Sequence, residues 1–236
     1  MGFQVKEHYT LDDCVALISM LRHPGGCPWD QEQTHQSIRR NYIEEVYEAA
    51  DAIDRDDPAN LCEELGDVLL QTLFHADIEA DAGRFTLEDV CDSLCRKMIF
   101  RPPHLFGAAE EAPDGETLNR AEKKQASHTE VLRGVPQAMP ALWRAEKIVS
   151  KAEKAGVQAS DPADAIRAVQ TAAAALDGLE ASLGNALLAL AALSHAMDCD
   201  PERVLNDALA RSVERFAACE AAGTLPETTA EMLWRL

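Results

Sequence analysis

Positive charge is scarce in this chain. Its 22 lysine and arginine residues stand against 41 aspartate and glutamate residues, so the formal net charge is −19. A protein of this charge repels the phosphate backbone of DNA and RNA, and nucleic acid is therefore not an expected partner. A small phosphate-bearing ligand can still bind if a metal ion and a few local cations offset its charge.

Long apolar runs and closely paired cysteines are also missing. The longest apolar run, residues 186–194, is too short to cross a membrane, and the start of the chain shows no signal-peptide pattern. The seven cysteines include no C-x-x-C pair, which argues against a disulfide framework or a zinc site. We expect a cytoplasmic protein with reduced thiols and no membrane partner.

Aromatic residues are few as well, at 5% of the chain, whereas alanine and leucine dominate a hydrophobic content of 47%. This composition favours helix over sheet. Capping residues, prolines and glycines divide the chain into helices; Asp57 and Pro58, for example, predict the start of a helix that ends near Ala82. We predict an all-α fold in the form of a helical bundle.

Two acidic motifs stand out within predicted helices: E-E-V-Y-E at residues 44–48 and E-E-L-G-D at residues 63–67. If these helices pack side by side, four or more carboxylates come together, and such a gathering of like charges calls for a cation. Oxygen ligands of this kind suit Mg²⁺, with Mn²⁺ as a second possibility. The motifs therefore indicate metal-assisted chemistry on a phosphate substrate.

A helical wheel selects the ligands within the two motifs. In each motif the second and third acids border the apolar stripe, and the first acid points away from it. The predicted metal ligands are Glu45, Glu48, Glu64 and Asp67. The predicted outer-shell or solvent-facing acids are Glu44 and Glu63. The predicted apolar stripes are Tyr42, Val46, Ala49 and Ile53 on the first helix, and Leu61, Leu65, Val68, Thr72 and Ala76 on the second. A single motif is more typical of an ordinary solvated face; two motifs with matching positions favour a site.

The sequence also shows an internal repeat. Residues 63–70 align with residues 181–188, keeping the Leu-Gly and Leu-Leu pairs, but Ser182 and Asn185 replace two of the acids. We therefore predict a tandem fold whose second copy is degenerate. The predicted domains are residues 1–130 with the intact acidic site, 131–160 as connecting helix and linker, and 161–236 as the second copy.

Four motifs follow one another in the first half of the chain. They are C-P-W-D-x-x-Q-T-H at residues 27–35, E-E-x-x-E at 44–48, E-x-x-D at 64–67 and R-P-P-H-L-F-G at 101–107. Together they resemble the MazG-type nucleoside triphosphate pyrophosphohydrolases. The resemblance implies an all-α bundle, usually dimeric, that cleaves nucleoside triphosphates to monophosphate and pyrophosphate with Mg²⁺.

The resemblance also implies roles for individual residues. It assigns the metal site to Glu44, Glu45, Glu48, Glu64 and Asp67, and the phosphate contacts to Lys97 and Arg101. We expect Glu45 or Glu48 to accept the proton of the attacking water. Lys97 and Arg101, four residues apart on a helix, can face one phosphate chain. Trp29 can either stack on a base or anchor a lid over the core.

The chain departs from the family pattern in one motif. Residues 100–104 read F-R-P-P-H where many members have R-R-H-P-H, so one cation and one histidine are missing. Two other functions therefore stay open. One is a catalytically weak, dimeric binding or regulatory protein. The other is a narrower pyrophosphohydrolase that acts on dUTP, dCTP or a modified nucleotide.

Overall fold

The computed structural model describes residues 3–101, 105–106 and 127–223, and within these ranges all regular structure is helical. The fold is all-α, as the sequence predicts. The helices of the described ranges are α1 (Leu11–Arg22), α2 (Pro28–Gln31), α3 (His35–Asp54), α4 (Pro58–Asp81), α5 (Leu87–Phe100), α6 (His128–Arg133), α7 (Ala141–Lys154), α8 (Pro162–Ala174), α9 (Glu180–Ala196) and α10 (Pro201–Ala221). None of them is long and apolar enough to cross a membrane.

Local sequence explains where these helices begin. Thr10, Thr34 and Thr86 each accept a hydrogen bond from the backbone three residues on, while the side chain at that third position bonds back to the threonine N–H. Such reciprocal capping satisfies N–H groups that a helix start otherwise leaves without partners. Asp57 caps α4 ahead of Pro58, which confirms the boundary predicted there. The sequence also predicts a shorter helix at residues 117–128, and most of this segment lies outside the described residues.

The chain divides into two compact units, Met1–Ala112 and Pro113–Leu236. In the first unit, α3 and α4 form a hairpin, and α1 packs against α4. The core cluster of this unit consists of Ile18, Ile38, Leu73 and Phe74, all almost completely buried. Burial of each such side chain contributes about 1.5–3 kcal/mol to folding. This core holds the hairpin, and with it the acidic motifs, in place.

The apolar stripes predicted for α3 and α4 are wrong in several positions. Val46, Ile53 and Leu65 are 49%, 62% and 55% exposed. The buried face of α3 instead contains Ile38, Ala49 and Ala52, which lie within roughly 40° of Glu45 on a helical wheel. Small alanines allow α4 to approach closely on this side. Glu45 therefore lies in the middle of the buried face. Of the predicted stripes, Ala49 and Ala76 are buried, whereas Val46, Ile53 and Leu65 lie on an exposed apolar side of the hairpin.

The second unit contains a comparable hairpin, formed by α8 and α9, with α7 packed along α9. The sequence predicts a helix break near Gly184. The chain instead reverses earlier, at residues 175–179, and Gly184 lies inside α9. Gly178 adopts a φ of +83° in that turn. Ser182, which replaces an acid of the first copy, donates a hydrogen bond of 2.7 Å to Asp177. This position, in the first turn of α9, thus holds the preceding turn in place.

A histidine joins α7 to α9 in this unit. The two ring nitrogens of His195 each lie 2.9 Å from a carboxylate oxygen, one of Glu146 and one of Glu153. Burial lowers the pKa of His195, but the hydrogen bonds to Glu153 and Glu146 outweigh this effect, and the pKa lies above its ordinary value of 6.5. The charged imidazolium is therefore the form that the fold stabilises.

Replacement of His195 by glutamine is expected to destabilise the protein in a pH-dependent way. Because the pKa is raised on folding, the stabilisation by His195 is complete below pH 6.5 and is lost as the pH rises through the folded pKa. Thermal unfolding followed by circular dichroism should show a larger loss for His195→Gln at pH 6 than at pH 9. His8→Gln, at an exposed position, is the control. An equal loss at both pH values would contradict the expectation.

Candidate carboxylate site

The first unit brings three predicted ligands together on the α3–α4 hairpin. Carboxylate oxygens of Glu45, Glu48 and Glu64 all lie within 4.8 Å of one another. Glu45 and Glu64 are half-buried, whereas Glu48 is exposed. The antiparallel packing of the two helices creates this meeting, because it sets the middle of α3 against the first half of α4.

Asp67 belongs to the same electrostatic group. Burial raises the pKa of Glu45, and the charges of Asp67 and Glu48 raise it further. Burial likewise raises the pKa of Glu64, with added repulsion from Glu48 and Asp67. All four predicted ligands therefore interact, although the closest oxygens are those of the three glutamates.

The donor set fits a hard divalent cation. Every candidate ligand atom is a carboxylate oxygen, and the donors come from two helices. Burial, together with mutual repulsion, raises the pKa of Glu45 and Glu64. A cation between them would remove that repulsion, and oxygen ligands suit Mg²⁺ and Mn²⁺ better than thiophilic metals. The residues present thus fit such an ion.

A second cluster in the described residues has ligand-like spacing but different electrostatics. His23, Asp77 and Asp81 bring their donor atoms within 4.8 Å of one another. The buried guanidinium of Arg22, however, pairs with Asp77 at 2.7 Å and with Asp81 at 3.1 Å. Its positive charge already offsets the two carboxylates. This cluster is an ion-pair network rather than a metal site.

The first acid of each motif points away from the site. Glu44 lies 3.9 Å from Arg40, one helical turn earlier on the solvent side of α3. Glu63 is exposed and acts on the site only through its charge, as a smaller contribution to the raised pKa of Glu64. These positions agree with the helical wheel. The roles of both residues remain predictions.

Lys97 and Arg101 lie together at the end of α5, where the backbone N–H of Arg101 donates to the carbonyl of Lys97 at 3.1 Å. Neither is among the charges that shift the pKa of Glu45 or Glu64. Residues 91–100 are all exposed, so this part of α5 is not buried against its own unit. The roles of Lys97 and Arg101 in phosphate binding therefore remain predictions.

Trp29 lies in α2, a single helical turn, although the proline and glycine content of residues 23–30 predicts a loop there. Its side chain is 58% exposed. His35, the first residue of α3, contacts His75 and Glu79 of α4. Arg22 was not singled out from the sequence. The available signal was the pair of aspartates four residues apart on α4, which calls for a cationic partner.

The fold and the site define a class: an all-α protein whose helical hairpin gathers carboxylates that could hold a divalent cation. Comparison with known proteins makes the assignment specific. Residues 33–106 match the MazG nucleotide pyrophosphohydrolase domain. The chain is also 35% identical over 220 residues to the nucleoside triphosphate pyrophosphohydrolase/pyrophosphatase MazG of Thermotoga maritima, covering 89% of this chain and 85% of that protein.

Two further relatives are named nucleoside triphosphate pyrophosphohydrolase. That of Escherichia coli K12 is 37% identical over 153 residues, which cover 62% of this chain and 58% of the relative. That of Mycobacterium tuberculosis is 42% identical over 170 residues, which cover 69% of this chain and 51% of the relative. The chain belongs to the MazG family of nucleotide pyrophosphohydrolases.

Removal of one site carboxylate should have opposite effects with and without metal. In metal-free buffer, Glu45→Gln is expected to raise the midpoint of thermal unfolding, because it relieves repulsion within the cluster. With excess Mg²⁺ the order should reverse, since ion binding stabilises only the wild type strongly. Differential scanning fluorimetry with and without EDTA measures both effects. If neither Mg²⁺ nor Mn²⁺ changes the midpoint of thermal unfolding of the wild type, the result would argue against a metal site.

Proposed function

We propose that this chain hydrolyses nucleoside triphosphates to nucleoside monophosphate and pyrophosphate at the carboxylate site of its first unit. The observation that carries the proposal is the convergence of Glu45, Glu48 and Glu64 within 4.8 Å. The names of the relatives support the reaction class. We further propose that Glu45, Glu48, Glu64 and Asp67 hold Mg²⁺, or Mn²⁺ in its place.

The side chains of the site have separate roles in the proposed reaction. A divalent ion held by the carboxylates would supply a Lewis acid for the phosphoryl oxygens and lower the pKa of a bound water. Glu45 or Glu48 accepts the proton of the water that attacks the α-phosphorus, and pyrophosphate leaves. Glu44 and Glu63 border the ligands from the solvent side, and Trp29 stacks on the base. Lys97 and Arg101 neutralise the phosphate chain.

The two cations also give a reason to propose a homodimer. Lys97 lies on a part of α5 that is exposed throughout. The same helix exposes Leu94, Met98, Ile99 and Phe100, and the hairpin exposes Ile43, Val46, Tyr47, Ile53, Leu65 and Leu69. Apolar patches of this extent are typical of surfaces that another chain covers. In a dimer that buries them, α5 of one copy can bring its cations to the phosphates bound by the other.

The reaction is tested by incubating the protein with each common nucleoside triphosphate and Mg²⁺, or Mn²⁺, and separating the products. We expect monophosphate plus pyrophosphate. Glu45→Ala and Asp67→Ala should each lower kcat by a factor of about 100 or more, because each removes part of the charge that holds the ion. Asp54→Ala, which removes an exposed acid from α3, the helix of Glu45, is the matched control.

Each result of this assay has a distinct meaning. Diphosphate plus phosphate as products would contradict cleavage at the α-phosphorus. Turnover of dUTP, dCTP or a modified nucleotide alone would favour the narrower pyrophosphohydrolase. No turnover with either ion would contradict the enzyme proposal and favour a binding or regulatory protein.

The dimer is tested by sedimentation equilibrium. We expect the wild type to sediment as a dimer and the double variant Ile53→Glu/Leu94→Glu to sediment as a monomer, since both side chains lie on the exposed apolar faces. Val157→Glu, at an exposed position outside these faces, should leave the dimer intact. A monomeric wild type would refute the proposal.

A further inference from the structure

An exposed tryptophan of the first unit lies in a segment whose two ends are anchored to α4. Trp29 lies in the segment of residues 23–34 that joins α1 to α3, and its indole is 58% exposed. An exposed side chain of this size adds little packing to its own unit. On a binding surface, its flat ring can stack on a ligand. The contacts at the two ends of the segment show how the position of this side chain is fixed.

The first end is held by Arg22, the last residue of α1. Its side chain is buried, with Nε 2.7 Å from Asp77 and Nη2 3.1 Å from Asp81 on α4. The guanidinium also lies 5.5 Å from the ring centre of Phe74. The third nitrogen, Nη1, donates to the carbonyl oxygen of Asp30 at 3.3 Å. Arg22 thus connects α4 directly to the residue that follows Trp29.

The turn after Arg22 leaves little freedom for the segment to shift. The N–H of Cys27 donates to the carbonyl of Leu21 at 2.8 Å, and the N–H of Gly26 donates to that of His23 at 2.9 Å. A Cβ atom at Gly26 would lie 2.2 Å from the carbonyl oxygen of Met20, so the turn packs directly on the end of α1. These contacts therefore fix the backbone conformation with which the chain enters α2.

The second end is held by His35, the first residue of α3. Its Nε2 lies 2.5 Å from Oε1 of Glu79, and its Nδ1 lies 2.7 Å from Nδ1 of His75. Arg84 pairs with the same Glu79 through two nitrogens, at 2.5 and 2.7 Å. The His35 ring also stacks on that of His75, with centroids 4.9 Å apart. This end of the segment is fixed to α4 as well.

Arg22 and His35 contact opposite sides of α4. Asp77 and Asp81 are four residues apart and share one side of α4, whereas His75 and Glu79 share another, about 160° away on a helical wheel. The segment therefore spans the last turns of α4, with Trp29 between its two fixed ends.

We propose that Arg22 and His35 are positioning residues that hold the backbone segment carrying Trp29 where its indole stacks on the base of the substrate. This inference rests on the proposed function. Fixing an aromatic ring before binding removes the entropic cost of ordering it afterwards. Loosening either anchor should therefore weaken nucleotide binding and leave the chemistry at the carboxylates largely unchanged.

The position of Trp29 is measured first, without nucleotide. The chain has three tryptophans, so Trp143→Phe/Trp234→Phe leaves Trp29 as the only indole. In this background we expect Arg22→Lys and His35→Gln to lower the fluorescence anisotropy of Trp29 and to increase its quenching by acrylamide. Arg55→Gln, which breaks an exposed pair within α3, is the control and should change neither. If Arg22→Lys does not fold, Arg22→Gln/Asp77→Asn avoids leaving two carboxylates unpaired.

Kinetics then tests the connection to substrate by a double-mutant cycle. Arg22→Lys is expected to raise KM about tenfold, within the range that base stacking supplies, while kcat stays within about a factor of two. In a Trp29→Ala background the same change should have no further effect on KM, because Arg22 acts through Trp29. A purely structural role would lower kcat or active protein equally in both backgrounds.

The outcomes separate this inference from the proposed function. Unchanged anisotropy in both anchor variants, or full additivity in the cycle, would overturn the inference while turnover by the wild type upheld the function. If the wild type turns over no nucleotide, the function fails, and the anisotropy still decides whether Arg22 and His35 hold Trp29.

Discussion

The close packing of α3 against α4 is the constraint on which the site depends. Ala49 and Ala52 let the two helices approach, and Glu45, on the same face of α3, is thereby directed toward Glu64. The fold accepts the burial of Glu45 and Glu64 and the repulsion from the neighbouring acids, both of which raise the pKa of these two carboxyl groups. A bound cation would relieve this repulsion, so the repulsion favours cation binding. Such a site can bind a cation tightly and still destabilise the metal-free fold.

The single helix α4 uses charge in two opposite ways. Near its beginning, Glu64 faces other acids; near its end, Asp77 and Glu79 face Arg22 and Arg84. Arg84 and His35 lower the pKa of Glu79 to about 2, the reverse of the shift at Glu64. The paired charges fix the connection between α1 and α3, and the unpaired charges form the proposed site. One rigid helix thus carries both the chemistry and the support for Trp29.

The second unit shows a comparable hairpin without this tension. Ser182 stands where the first unit has a predicted ligand and bonds to the turn before α9, and His195 lies between Glu146 and Glu153. Nothing in this arrangement requires a cation. The division of the chain by contacts, at residues 112 and 113, leaves the helix α7 within the second unit. The exact domain boundaries that the sequence suggested stay predictions.

The sequence by itself determined the helices and the acids of the candidate site. Capping residues such as Thr34 and Asp57 act on neighbouring backbone groups, and the turn of a helix fixes which acids share a side, so both can be deduced locally. Only the tertiary structure decided which side is buried: Val46 and Leu65 are exposed, and Glu45 lies among the buried residues. It also brought Arg22 to Asp77, a contact across 55 residues. Such contacts depend on how whole helices pack, and no local pattern specifies that.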